Sequence, residues 1–267
     1  MMTEFDNDFA LLSHTMQEAG DIARRYFKNT LKSWEKKPGD PVSEADLALD
    51  THFKEKLLAE RPDYGWLSEE TADDLARLEK SRVWIVDPID GTRSFIAGKP
   101  EFTICAALVE DGKPVLGIVY NPILEEYYEA VRGRGAKLNG EIINCSKKSD
   151  LLNAKLIASR KSFEWHGWLE AVNGAIFSHV NSIAYRVVKV ASQDAHASIS
   201  LTEKSDWDIA AADIILAEAG GITTTTKGDP LIYNRKSVNQ RNVISSGLCF
   251  HPQLMKLLKT FGKAKSS

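Results

Sequence analysis

Apolar positions recur at three- and four-residue steps through the first 28 residues. Phe5, Phe9, Leu12, Met16, Ala19, Ile22, Ala23 and Phe27 fall on one stripe, and this spacing predicts an amphipathic helix over 4–28. The polar stretch Ser33 to Pro41, with two prolines and a glycine, breaks the pattern. Ser43-Glu44-Ala45-Asp46 has the form of a capping box that opens a second helix through about Glu60. A short apolar step, Gly65 to Leu67, delivers Ser68-Glu69-Glu70-Thr71, and the polar residues beyond read as a helix ending before Val83. Val83 to Val86 is a short buried strand. Arg93 to Gly98 reads as a helical turn. Phe102–Leu108 and Val115–Tyr120 flank Asp111-Gly112, a hairpin signal, and Tyr127–Val131 leads into a further turn at Arg132 to Gly135.

The second half alternates instead. Strands are expected at Lys155–Ala158, Ile176–Val180, 195–201, Ile222–Thr225 and Val243–Ser245. Helices are expected at Phe163–Ala171, Ser182–Ala191, 207–219 and Pro252–Phe261, before a Lys/Ser-rich tail that reads as frayed. Antiparallel strands followed by strands spaced with helices predict an α/β (α+β) protein. It divides into an N-terminal half, 1–150, and a C-terminal half, 151–267, at the polar segment Ser146 to Asp150.

Composition narrows the function classes without naming one. A chain of 267 residues can bury a large core, and 43% apolar with 27% charged residues is ordinary for a globular protein. A net charge of −3 and a pI near 6.1 argue against a general nucleic-acid binder. No apolar run reaches the length of a membrane span, and the acidic, polar stretch Met1 to Asp8 is unlike a signal peptide. Cys105, Cys145 and Cys249 are odd in number and far apart, as expected for reduced thiols in a cytoplasmic protein. The six histidines show no zinc-binding spacing.

The chemistry concentrates in Trp84-Ile85-Val86-Asp87-Pro88-Ile89-Asp90-Gly91-Thr92. A buried strand ends in two carboxylates three residues apart, with a proline between them and a glycine after. Pro88 fixes its own φ and keeps Asp87 extended, while Gly91 permits a tight turn with close backbone approach. Two adjacent carboxylates repel unless a cation lies between them, and oxygen-only ligands favour a hard cation such as Mg²⁺. The same residues also read simply as a strand followed by an Asp-Pro/Asp-Gly turn. Asp46 can be the acid of a helix cap, and Glu69-Glu70 can be dipole-complementing residues at a helix start.

The segment Trp207-Asp208-Ile209-Ala210-Ala211-Ala212-Asp213 to Gly220-Gly221 is apolar almost all round, so the helix it forms is buried. Asp208 and Asp213 are about 140° apart around the axis and cannot serve one site on one face. Asp208, in the first turn, can be a cap. An acid beside a buried alanine-lined surface is nevertheless costly unless paired or metal-bound, which favours a ligand role.

Three separated segments together resemble the inositol monophosphatase family of Mg²⁺-dependent, lithium-sensitive phosphomonoesterases. They are Ser68-Glu69-Glu70-Thr71, Asp87-Pro88-Ile89-Asp90-Gly91-Thr92 and Trp207-Asp208-Ile209-Ala210-Ala211 closing in Glu218-Ala219-Gly220-Gly221. Within the family the resemblance is to the bacterial extragenic-suppressor (SuhB) and bisphosphate-nucleotidase (CysQ) types, over almost the whole chain. It implies a layered α-β-α-β-α sandwich. It also implies two Mg²⁺ ions: the first on Glu69, Asp87 and the Ile89 carbonyl, the second on Asp87, Asp90 and Asp208. A third would contact Glu69. Glu70 would orient metal-bound waters, Thr92 with Asp46 would help activate the attacking water, and the amides of Gly91 and Thr92 would receive the phosphate.

Departures from the family pattern bear on the substrate. Ser94 stands where the inositol phosphatases usually have Asn, and is similar to the histidinol-phosphate phosphatase branch, which lacks the Trp-Asp dipeptide. Leu201 occupies the position of a substrate-binding Glu, with Glu203 nearby. Asp213 replaces a usual Gly. Ser182 with Arg186 resembles the serine and basic residue of the nucleotidase branch, where a cation could meet a second phosphate. The default expectation is hydrolysis of inositol 1-phosphate, with 3'(2'),5'-bisphosphate nucleotidase or histidinol-phosphate phosphatase as alternatives. Ser94, Arg186, Glu203, Gly91, Thr92 and Asp208 are the expected substrate contacts. The resemblance further implies a homodimer and, from SuhB-like members, a regulatory contact with RNA polymerase.

Overall fold

A computed structural model describes residues 4–259. The predicted first helix is α1 (Glu4–Tyr26). The segment read as a break is a hairpin, β1 (Ser33–Lys37) with β2 (Asp40–Ser43), its two prolines and Gly39 sitting at and after the turn. The capping box opens α2 (Glu44–Glu60). A seven-stranded sheet follows, built from β3 (Gly65–Ser68), β4 (Arg82–Asp90), β5 (Thr103–Glu110), β6 (Lys113–Asn121), β7 (Glu126–Val131), β8 (Ala136–Leu138) and β9 (Glu141–Ile143), in sequential order. The short helix α3 (Thr92–Ile96) leaves the end of β4. Only β3 and β4 pair in parallel; the other neighbours are antiparallel.

The C-terminal half supplies a five-stranded sheet whose strands lie in the order Ile176–Ser178, Lys155–Ile157, Ala197–Ser200, Val243–Gly247 and Gly221–Thr224. In chain order come β10 (Lys155–Ile157), α4 (Arg160–Trp165), β11 (Ile176–Ser178), α5 (Ile183–Ala191) and β12 (Ala197–Ser200). They are followed by β13 (Lys204–Ser205), α6 (Asp206–Glu218), β14 (Gly221–Thr224), β15 (Asn239–Gln240), β16 (Val243–Gly247) and α7 (His251–Leu258). β13 and β15 form a two-stranded ribbon at the start of α6.

Three apolar clusters define five layers. Side chains of α1 and α2 cover one face of the large sheet through Trp84, Val86, Ile104 and Ala106. The alternate residues Val83, Ile85, Cys105 and Ala107 face α5 and α6, which lie between the two sheets. Phe163 and Trp168, with Leu254 and Leu258 of α7, cover the outer face of the small sheet. This is the α-β-α-β-α sandwich. Gly117 explains how closely the middle layer sits: a Cβ there would lie 2.7 Å from the Ala211 carbonyl oxygen of α6. The halves expected to divide at 150 therefore share a core across this contact.

Several expectations change. The polar helix before Val83 is one 3₁₀ turn, Ala76–Glu79, because Asp73 and Asp74 spend their carboxylates on the amides of Leu75 and Ala76. The helix expected at Phe163–Ala171 splits into α4 and a 3₁₀ turn, Glu170–Val172, interrupted at Gly167 with φ 70°. β4 runs to Asp90 rather than stopping at Val86. The strands β8, β9, β13 and β15 carry too few residues for a two-residue period to show. Phe261 and the Lys/Ser-rich tail lie outside the described residues, as do Met1 to Thr3.

Candidate functional site

β4 delivers both carboxylates because its alternation is broken once. Asp87 opposes Cys105 on the face toward α5 and α6, and regular pleating would turn Asp90 to the opposite face. The pairing register slips between Asp87 and Asp90, where Pro88 has no N–H to give to the ladder. Ile89 then joins the α1/α2 cluster and Asp90 returns to the inner side. One oxygen from each of Asp87, Asp90 and Asp208 falls within 4.8 Å of the others. Three carboxylates thus converge on one point from the end of one strand and the first turn of one helix.

Each acid is held differently. Asp90 Oδ2 accepts from Ser182 Oγ at 2.7 Å and from the Ala184 amide at 2.6 Å, so it sits on the N-terminus of α5. Burial pushes its pKa up to about 6 against the pull of those donors. Asp208 Oδ2 accepts the Ser205 amide at 2.6 Å, so the acid does cap α6. Burial, then the Asp90 charge, push it up to about 8. Asp87 is 1% exposed and neither carboxylate oxygen has a hydrogen-bond partner. Burial raises it well above the carboxylate range, and the charges of Glu69, Asp90 and Asp208 add to this. A buried carboxylate with no donor is among the costliest arrangements a core can hold. A multivalent cation among these oxygens would satisfy it, and an all-oxygen donor set fits a hard metal ion.

The cluster opens into a cleft of about 180 Å³, lined also by Glu69, Ile89, Gly91, Thr92, Arg93, Asn181 and the hairpin tip Gly39 to Pro41. Glu69 lines the cleft but is not one of the three converging acids; its carboxylate and that of Glu70 both contact Lys36 Nζ, at 3.1 and 2.9 Å. Glu70 is pushed up to about 7, by burial first and despite Lys36. Thr92 Oγ1 lies 3.0 Å from the Ile89 carbonyl oxygen and 3.2 Å from Asp46 Oδ1. Asp46 meanwhile caps α2 with its other oxygen, which accepts the Ser43 amide at 2.8 Å. Burial raises Asp46 to about 6. For Asp46 and Asp208, cap and site are compatible roles: a carboxylate has two oxygens, and the cap occupies one of them.

Gly91 has φ 98°, and a Cβ there would lie 3.2 Å from the Glu101 carbonyl oxygen and 3.3 Å from Ser182, so the turn into α3 requires glycine. The expected substrate contacts fare unevenly. Ser94 is buried and its Oγ accepts from Asn181 Nδ2 at 2.8 Å, so it reaches the cleft only through Asn181. Arg186 donates to the carbonyls of Val180 and Asn181, at 2.5 and 3.4 Å, and is committed to that backbone. Glu203 is exposed, bonded to Asn239 Nδ2 at 2.9 Å, and lies outside the lining. Leu201 packs against the outer cluster of the small sheet.

Sequence reading missed Lys36, Asn181 and the cap on Asp90. Lys36 was hidden because prolines around it mask the hairpin. Ser182 carried a signal, since it precedes a helix as an N-cap and accepts the Tyr185 amide at 2.9 Å.

The inositol monophosphatase family profile matches residues 6–260. The chain belongs to the inositol monophosphatase family. Its members are phosphatases, and the acidic cluster is one that could bind a metal. The chain is 30% identical over 238 residues to inositol monophosphatase 2 of Solanum lycopersicum, covering 85% of this chain and 90% of that protein. It is 32% identical over 228 residues to the 3'(2'),5'-bisphosphate nucleotidase CysQ of Aggregatibacter actinomycetemcomitans, covering 82% and 85%. The fold is that of the extragenic suppressor protein suhB from Bartonella henselae, with a TM-score of 0.83 at 26% identity over 97% of this chain and 99% of that one. Among the described residues no helix is long and apolar enough to cross a membrane.

Proposed function

We propose that this chain is a Mg²⁺-dependent phosphomonoesterase that hydrolyses a small phosphate monoester, with inositol 1-phosphate the first substrate to test. The observation that carries the reading is Asp87, buried without a hydrogen-bond partner among Asp90 and Asp208. Asp87, Asp90 and Asp208 would hold one Mg²⁺; Asp87, Glu69 and the Ile89 carbonyl would hold another, with room for a third ion at Glu69. Bound Mg²⁺ supplies the positive charge that a dianionic ester needs to enter an acidic cleft, and lowers the pKa of water.

The chain's own residues do the rest. Thr92, poised between the Ile89 carbonyl and Asp46, can take a proton from the attacking water at Oγ1 as its own hydroxyl proton passes to Asp46, so the threonine is unchanged by the relay. Glu70, held near neutrality, is suited to accepting a proton at working pH. The amides at Gly91 and Thr92 favour the phosphate oxygens. Ser182 and the Ala184 amide keep Asp90 in place. A homodimer and lithium inhibition accompany this reading by family likeness.

A second reading, bisphosphate nucleotidase, draws on Arg186, a cation fixed beside Asn181 at the cleft. Phosphate release should be measured with Mg²⁺ on inositol 1-phosphate, adenosine 3',5'-bisphosphate, histidinol phosphate and fructose 1,6-bisphosphate, using Asp90→Asn as control. Turnover of the first, lost in the variant, supports the proposal; turnover of the second alone selects the nucleotidase. No Mg²⁺-dependent release from any of them would sink the phosphatase reading for these esters.

A further inference from the structure

Among the described residues, Arg77 is the one cation in the set of largest fully buried side chains, with its guanidinium wholly enclosed. Its Nε and Nη2 grip Asp73 at 3.1 and 2.6 Å. Its Nη1 reaches across 157 positions of chain to Asn234 Oδ1 at 2.6 Å, and to the Arg235 carbonyl at 3.1 Å. The Asn234 amide N–H then donates to Asp206 Oδ2 at 2.8 Å, and Gln240 Nε2 donates to Asp206 Oδ1 at 2.8 Å. Asp206 is the first residue of α6 and is fully buried. Two residues later the same turn carries Asp208.

The other end of the chain of contacts is equally short. A Cβ on Gly65 would lie 2.9 Å from Arg77 Cβ and 3.1 Å from its Cα, so Arg77 packs flush on the first residue of β3. β3 ends at Ser68, and Glu69 follows, its amide bonded to the Val86 carbonyl of β4. A rigid, buried fork with four hydrogen bonds to fixed partners has one position.

We propose that Arg77 is a positioning residue: through Asn234 and Asp206 it sets the separation between the end of β3, which carries Glu69, and the first turn of α6, which carries Asp208. It touches no group of the cleft itself. This rests on the reading that Glu69 and Asp208 both hold metal. Oxygen ligands held at a fixed separation bind a small cation more tightly than the same ligands on ends free to drift, because binding then orders less of the protein.

The test is Mg²⁺ binding by isothermal titration calorimetry on metal-stripped protein, with the melting temperature of each variant recorded alongside. Arg77→Lys keeps the charge and loses the fork. Asn234→Ala removes the partner but leaves the Arg77–Asp73 pair, and carries the test if the buried lysine prevents folding. Each is expected to weaken Mg²⁺ at least fivefold, to regain most of the wild-type kcat at saturating Mg²⁺, and to be non-additive in combination. A lowered melting temperature with a Kd within twofold of wild type would mean Arg77 only stabilises the fold, and overturns the proposal. Asp87→Asn separates the two levels: Mg²⁺ binding that survives that change overturns the metal reading and the positioning role with it.

Discussion

Removing the charge of Asp87 should make the metal-free protein more stable while removing its response to Mg²⁺. Asp87→Asn preserves shape, and Asp87 has no donor to lose, since neither oxygen is bonded. The amide that replaces one oxygen can donate to Asp90 or Asp208, whose oxygens lie within 4.8 Å. Two unit charges 4.8 Å apart at an effective dielectric of about 20 repel by roughly 3.5 kcal/mol, and Asp87 has two such neighbours. Proton uptake caps this repulsion, because a cluster that can neutralise itself does so. A net gain of about 2–4 kcal/mol is therefore expected for the variant at pH 7.5. For a chain of this size that is a rise of roughly 5–15 °C in melting temperature.

The same physics fixes a pH dependence. Burial raises Asp90 to about 6 and Asp208 to about 8 in the folded protein, above the ordinary carboxylate value. The metal-free folded state therefore holds more protons than the unfolded chain between about pH 4 and pH 8, and its stability falls as pH rises through that window. Differential scanning calorimetry with EDTA, at pH 5 and pH 7.5, should show the variant's advantage widening at the higher pH. Adding millimolar Mg²⁺ should raise the wild type at pH 7.5 and leave Asp87→Asn unmoved. A variant that melts at or below the wild type without metal, or that still gains from Mg²⁺, would refute the claim that these acids form a cation site.

Ser182→Ala removes both the donor to Asp90 and the N-cap of α5, so about 1–2 kcal/mol of stability should go, together with most Mg²⁺-dependent turnover; denaturant titration and phosphate release check the two parts. Gly117→Ala would place a methyl 2.7 Å from the Ala211 carbonyl and Ile214, and should cost roughly 1–3 kcal/mol; an unchanged denaturation midpoint would contradict the close packing of α6 on β6. Tyr233→Phe leaves Asp213 without the donor it holds at 2.8 Å. It should destabilise by about 1–3 kcal/mol at pH 7.5 and by less as pH falls, because burial raises Asp213 and favours its neutral form, with kcat unaffected.

Asp213 shows how far the sequence could be read and where it stopped. Helical geometry sufficed to separate it from Asp208, since 140° of rotation is a property of the backbone. What Asp213 does instead, tying Tyr233 and the loop before β15 to the flank of α6, depends on a residue 20 positions away that no period encodes. The same division runs through the whole molecule. Most strands and helices were legible because each repeats an alternation of two or 3.6 residues along one segment, whereas the order of the layers came only with the family resemblance. The position of Asp87 was legible because strand, proline and glycine are neighbours in sequence.

That Asp87 and Asp90 lie close together was legible from the proline and glycine beside them; the register slip that turns Asp90 to the inner face was not, for it exists only against the partner strand β5. Neither was the choice between cap and ligand at Asp46 and Asp208, because that question has a per-oxygen answer. Asp46 gives one oxygen to the Ser43 amide and the other to Thr92, and a residue-level pattern has no way to divide it. Glu203 and Arg186 pose the opposite case. Each has the right chemistry close in sequence to a site residue. Yet Asn239 takes the first and the Val180 carbonyl takes the second. Nearness along the chain reaches a site only where the backbone between is a single turn of helix or the end of one strand, as it is between Asp87, Asp90 and Thr92.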